Sequence, residues 1–128
     1  MDSRCIFCNK IEETNGGESP SSVILFTFDS FIVGLDAFPV TDGHCLIIPK
    51  RHIQKITELT EEEFSELYHI FKTLEETYHT DYNIGINCGK AAGQTINHLH
   101  IHFIPRHEGD CENPRGGVRG VIPSKQQY

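Results

Sequence analysis

Three histidines separated by single apolar residues, His98-Leu99-His100-Ile101-His102 running into Phe103 and Ile104, constrain this chain more than any other feature. Side chains of a β-strand alternate faces, so this spacing puts all three imidazoles on one face and Leu99, Ile101 and Phe103 on the other. One side must pack while the other remains open to chemistry. Imidazole serves as nucleophile, proton carrier or metal ligand near neutral pH. A lone strand histidine reads as structural, whereas a row of three preceded by Gly93-Gln94-Thr95 reads as a reactive face. A neutral imidazole whose second nitrogen is held by an acceptor can attack phosphorus and form a phosphoramidate that water later cleaves. His100, central in the row, is the candidate nucleophile, and His102 the candidate proton donor to the leaving group.

A chain of 128 residues with 38% hydrophobic content fits one domain, 1–128, with residues 106–128 as a tail. The formal net charge of -7 argues against general affinity for nucleic acid, so a phosphate would have to be held by local groups. Lys50, Arg51, Lys55, Arg106, Arg115 and Arg119 lie near the motifs, and surface solvation accounts for most of them. The first residues lack a secretory apolar region, and no run approaches the roughly 20 apolar residues of a membrane span. Five cysteines, an odd and scattered set, suit a reducing compartment, so a soluble cytoplasmic protein is expected.

Val23 to Phe28, Phe31 to Leu35 and His44 to Pro49 read as antiparallel strands, with Asp29-Ser30 turning between the first two. Glu12 to Ser22 reads as an exposed loop. Thr60 and Glu63 form a capping box, after which Phe64, Leu67, Tyr68, Phe71, Leu74 and Tyr78 repeat at helical spacing as a packing stripe. His69 and His79 fall off that stripe and should face solvent. Tyr82 to Cys88 and His98 to Pro105 complete about five strands and one long helix in an α+β arrangement. The Gly- and Pro-rich tail is expected to close over a site or to fray.

Gly89 to Thr95 is a loop whose small residues let backbone amides approach an anion, with Gln94, Thr95 and Asn87 adding side-chain donors. Cys5-x-x-Cys8 has zinc-knuckle spacing but supplies two ligands, so histidines must complete a tetrahedral site; His44, His52 and His98 are candidates.

The stretch from Gly93-Gln94-Thr95 to Phe103-Ile104-Pro105-Arg106 resembles the signature of the histidine triad superfamily of nucleotide hydrolases and transferases. His44-Cys45-Leu46-Ile47-Ile48-Pro49-Lys50-Arg51-His52 resembles its second motif, and Cys5-Ile6-Phe7-Cys8 the N-terminal motif of its zinc-bearing members. The resemblance implies a five-stranded antiparallel sheet with one long helix, pairing into a ten-stranded sheet in a homodimer. It implies attack by His100 on the α-phosphate of an adenine nucleotide, giving a nucleotidyl-histidine that water resolves to the monophosphate. Base and ribose would lie against Phe7, Ile11, Leu35, Asp36 and Ala37, with Asp36 accepting from the sugar hydroxyls. Asn87, Gly93, Gln94, Thr95, His100 and His102 would meet the phosphate. One structural zinc per chain would be held by Cys5, Cys8, His52 and His98. The role of His44 stays open. Gln94-Thr95, Pro105-Arg106 and Gly109-Asp110 resemble the fragile histidine triad and diadenosine polyphosphate hydrolase branch, while the tail resembles small bacterial or archaeal members. A nucleoside phosphoramidase and a non-catalytic nucleotide-binding module are the alternatives.

Overall fold

The computed structural model describes residues 5–15 and 24–128. Helix α1 (Ile6–Asn15) is followed by strands β1 (Ile24–Thr27), β2 (Phe31–Leu35) and β3 (Cys45–Pro49). Helix α2 (Glu61–Tyr78) then leads to β4 (Asp81–Ile86) and β5 (Ile101–Arg106). The five strands form one sheet in the order β1-β2-β3-β5-β4, with antiparallel pairing between each pair of neighbours. The expected α+β layering with a five-stranded sheet and one main helix holds.

Alternation along the strands divides the core into two layers. Phe31, Val33, Cys45, Ile47, Ile101 and Phe103 face α2 and pack with Leu67, Ile70 and Leu74. Ile32, Leu46 and Ile48 face the other way and pack with Cys5, Phe7, Cys8 and Ile11 of the α1 region. Each buried aliphatic side chain of this kind contributes about 1.5–3 kcal/mol relative to exposure. His102 lies opposite Leu46 in the β3–β5 register and opposite Gly85 in β4, so the histidine face is the α1 face.

Three expectations are corrected. Glu12 to Asn15 is the last part of α1, not loop, because the helix that starts at Ile6 runs through it to Asn15; residues 16–23 lie outside the described residues. The α2 stripe is rotated: Leu67, Ile70 and Leu74 are buried and Phe71 and Tyr78 half-buried, while Phe64 and Tyr68 are exposed. At about 100° per residue those two fall beyond the arc centred on Leu67 and Ile70. Strand β5 begins at Ile101 and ends at Arg106, so His98 and His100 precede the paired ladder. His69 and His79 are exposed, and His79 closes α2 in the left-handed conformation.

The capping box forms as read: the Thr60 hydroxyl accepts from the Glu63 amide, and the Glu63 carboxylate accepts from the Thr60 amide. Its second use was not legible. Arg51 donates from Nε at 3.0 Å and Nη2 at 2.7 Å to the two Glu63 oxygens, and from Nη2 to the Glu58 carbonyl. The Arg51 guanidinium, with the Thr60 amide, holds the Glu63 carboxyl down to about 2. A folded-state value below the unfolded one gives stability that is complete above about 4.5 and is lost as pH falls toward 2. Arg51→Met should therefore cost about 1–3 kcal/mol in urea unfolding at pH 7. The penalty should shrink below pH 4.5; a penalty unchanged at pH 3 would contradict this pairing.

Candidate functional site

The row of histidines forms a file along the α1 face. Phe7 stands edge-on to both His98 and His100, with ring centroids 5.8 and 5.1 Å away, and the His100 and His102 centroids are 5.3 Å apart. Leu99, Ile101 and Phe103 are fully buried on the opposite side, as the alternation requires. The sheet thus delivers three imidazoles to three different surroundings.

His98 is fully buried, and its Nε2 lies 2.8 Å from the Pro49 carbonyl oxygen, which fixes Nε2–H as a donor. The lone pair of Nδ1 then faces Cys5 Sγ at 3.4 Å, Cys8 Sγ at 3.5 Å and His52 Nδ1 at 3.2 Å. Cys8 Sγ lies 3.2 Å from His52 Nδ1. A tetrahedral zinc, about 2.3 Å from sulfur and 2.0–2.1 Å from nitrogen, sets its ligand atoms roughly 3.3–3.8 Å apart. The four donors fit such an ion, and a backbone carbonyl on the far nitrogen of His98 is the usual support for a ligating imidazole. Burial pushes the His98 imidazole down, opposed by Pro49, so it is neutral as a ligand must be. His44, a candidate ligand by sequence, lies elsewhere.

His100 is buried, and its Nδ1 lies 2.9 Å from the His98 carbonyl oxygen. In a neutral ring that acceptor places the proton on Nδ1 and leaves the lone pair on Nε2. The same peptide unit is held from its other end, since the Leu99 amide donates to the Ile53 carbonyl at 2.6 Å.

His102 meets His44, with His44 Nε2 2.9 Å from His102 Nδ1 and 3.4 Å from Asp36 Oδ2. The Val40 amide donates to His44 Nδ1 at 3.0 Å, so the His44 proton sits on Nε2 and is given to His102. His102 Nδ1 is then an acceptor and its Nε2–H points onward as a donor. Asp36, His44 and His102 converge as three metal-ligating side chains. The Val40 bond removes the His44 Nε2 lone pair, however, and the trio reads as a proton relay. Burial pushes His44 down despite Asp36; burial first, then His100 and His44, pushes His102 down. Gly43, with φ of 85°, supplies the turn into His44, and a side chain there would come within 2.7 Å of the Tyr78 ring.

The remaining candidates are placed as follows. Phe7 is buried and Ile11 lies beneath it in the core, Leu35 and Asp36 are half-buried, and Ala37 is exposed. Asp36 Oδ1 accepts from the Phe38 amide. Gly93 and Thr95 are exposed and Asn87 and Gln94 half-buried, with Asn87 beside Gly93. Gln94 braces the loop, its Oε1 accepting from the Gly89 amide and its Nε2 donating to the Gln54 carbonyl. Gly85 leaves open space next to His102. Two of the basic residues are more than solvated surface: Arg51 is held by Glu63, and Arg106 is held by Asp110, with further bonds to Asn83 and Cys111. Arg115 and Arg119 lie over the Tyr128 ring, 5.2 and 4.7 Å from its centre. His44, whose role the sequence leaves undecided, stands between Asp36 and His102. Its signal was parity, because residue 44 shares a face with Leu46 and Ile48.

Residues 16–109 match the HIT domain family. The chain belongs to the HIT domain family. The matched span begins after the Cys5–Cys8 pair and ends before most of the tail. This HIT chain is 38% identical over 122 residues to an uncharacterized HIT-like protein of Methanocaldococcus jannaschii, covering 91% of each. It is 40% identical over 97 residues to a bis(5'-adenosyl)-triphosphatase of Dictyostelium discoideum, covering 72% of this chain and 65% of that one. It is 37% identical over 109 residues to an adenosine 5'-monophosphoramidase of Saccharomyces cerevisiae, covering 84% and 66%. Among solved structures, a Zn-bound histidine triad family protein from Mycobacterium smegmatis aligns with a TM-score of 0.68 at 34% identity, over 84% of this chain and 78% of that one.

No helix among the described residues of this HIT chain is long and apolar enough to cross a membrane. The lowered values of His44 and His102 carry a sign. A histidine whose folded-state value lies below the ordinary 6.5 stabilises fully above 6.5 and less as pH falls. In urea unfolding, His44→Gln should lose stability less steeply than wild type between pH 7 and 5. Parallel slopes would contradict a buried neutral His44.

Proposed function

We propose that this HIT protein cleaves adenine nucleotides at the α-phosphate, with diadenosine polyphosphates as the substrate class, through a nucleotidyl-histidine on His100. The observation that carries the reading is the His100 Nδ1 bond to the His98 carbonyl, which directs the Nε2 lone pair away from the backbone. Nε2 forms a bond to phosphorus as the bond to the leaving polyphosphate breaks, and the electron pair departs on the leaving oxygen. His102 Nε2–H, set by the His44 Nε2–H, hydrogen-bonds that oxygen. Water then attacks phosphorus, the N–P bond returns its electrons to Nε2, and AMP and a proton are released. With an amine leaving group, as in a nucleoside phosphoramidate, the same intermediate forms as the nitrogen takes the His102 Nε2 proton and departs as neutral amine. The proton that water later releases restores His102.

Asn87, Gly93, Gln94 and Thr95 take the phosphate oxygens in this reading. Phe7, Leu35 and Ala37 form the base and ribose wall over Ile11, and Asp36 accepts from the ribose hydroxyls. Zinc, one per chain on Cys5, Cys8, His52 and His98, would close a four-ligand site with no open position, so it supplies structure and no chemistry. The chain is taken as a cytoplasmic homodimer whose sheets continue across an edge strand, which would cover otherwise unpaired backbone groups. Its five cysteines, none in a disulfide, agree with that compartment.

Purified protein incubated separately with diadenosine tetraphosphate and with an adenosine phosphoramidate should release AMP, followed by chromatography. His100→Ala should lower the rate by roughly a thousandfold or more. Absence of AMP from both substrates would overturn the enzymatic reading in favour of a nucleotide-binding module.

A further inference from the structure

Resting on that reading of His100, we infer that His52, Cys5 and Cys8 are positioning residues for the nucleophile, acting through the peptide unit between His98 and Leu99. The carbonyl of that unit accepts from His100 Nδ1 at 2.9 Å, and its amide donates to the Ile53 carbonyl at 2.6 Å. The residues flanking these two anchors, His98 and His52, are both members of the four-donor cluster, with their Nδ1 atoms 3.2 Å apart. One peptide plane is therefore gripped from two chain segments that meet at the cluster. It orients the one ring whose tautomer the chemistry needs.

A second contact runs from the same cluster. Phe7 lies between the two thiols in sequence, is buried, and stands edge-on to both His98 and His100. The thiols that hold the start of α1 thus also hold the wall against which the His100 ring rests. Without a cation, Cys5, Cys8, His52 and His98 are joined at 3.2–3.5 Å only by thiol and imidazole hydrogen bonds, a weaker tie than four metal–ligand bonds and one that lets the two segments separate. Separation tilts the peptide plane and frees the His100 ring to exchange its proton between nitrogens. His52 is exposed, so removing its ring opens no core cavity.

The test uses nitrogen-15 NMR of the histidine rings at one fixed pH, alongside metal analysis and steady-state kinetics, on the full chain loaded with zinc. Wild type should show His100 protonated at Nδ1 only. His52→Ala should lose zinc, show both His100 tautomers, and lower kcat about 10-fold with KM within about twofold. His52→Cys, which restores a fourth ligand, should recover zinc, the single tautomer and kcat. Cys8→Ser is the second variant should His52→Ala retain metal. Leu74→Ala, which loosens the α2 layer without touching the cluster, should leave the His100 signals unchanged. A zinc-free variant whose His100 signals match wild type would overturn the inference, as would Leu74→Ala reproducing the tautomer mixture. The ring signals decide it even if wild type releases no AMP, an outcome that would instead remove the proposed function.

Discussion

A single hydrogen bond, from His100 Nδ1 to the carbonyl oxygen of His98, is the constraint on which the proposed chemistry depends. An imidazole with its proton on Nε2 would present no lone pair to a phosphate lying over the sheet. Fixing Nδ1 against a backbone acceptor settles the tautomer before substrate arrives, so the reaction pays no reorganisation at that ring. The acceptor belongs to a residue whose own side chain is occupied elsewhere, at the four-donor cluster. The backbone of His98 serves one neighbour and its ring another, and that division is what a spacing of two residues permits.

The same logic extends along the face. Five of the eight histidines, His44, His52, His98, His100 and His102, gather there, a density of imidazole that would repel strongly if the rings were charged. Burial lowers His44, His98 and His102, and backbone partners fix which nitrogen of His44, His98 and His100 carries the proton in the neutral ring. The Val40 amide sets His44, His44 sets His102, and the Pro49 carbonyl sets His98. In the proposed function, a chain of fixed tautomers would let neutral rings divide among ligation, attack and proton donation without exchanging roles.

Local signals made most of the sheet readable from sequence. β-branched runs located β2 and β3, the Thr60–Glu63 pair located the start of α2, and the alternation of His98 to Phe103 located the reactive face. Cys5, Cys8, His52 and His98 could be grouped only through family resemblance, since 93 residues separate Cys5 from His98 and spacing alone does not choose among three histidines. The helix Ile6–Asn15 has little sequence signal because its polar composition carries little periodicity, and packing of Phe7, Cys8 and Ile11 on the sheet is what supports it. Phe64 and Tyr68 carry the helical spacing of core residues, but the buried arc centres on Leu67 and Ile70 and leaves both exposed. The Pro49 and Ile53 carbonyls and the Val40 amide had no sequence signal at all. Backbone groups acquire such roles only when the strands come together.

In the proposed reaction, His100 Nε2 becomes bonded to the nucleotide's phosphorus. Mixing the protein with diadenosine tetraphosphate, quenching within milliseconds in alkali and mapping peptides by mass spectrometry tests it most directly. One adenylyl group is expected on the peptide carrying His100, attached at Nε2, appearing and decaying at rates that match turnover. Sustained AMP release with no adduct, or with an adduct on another side chain, would contradict it.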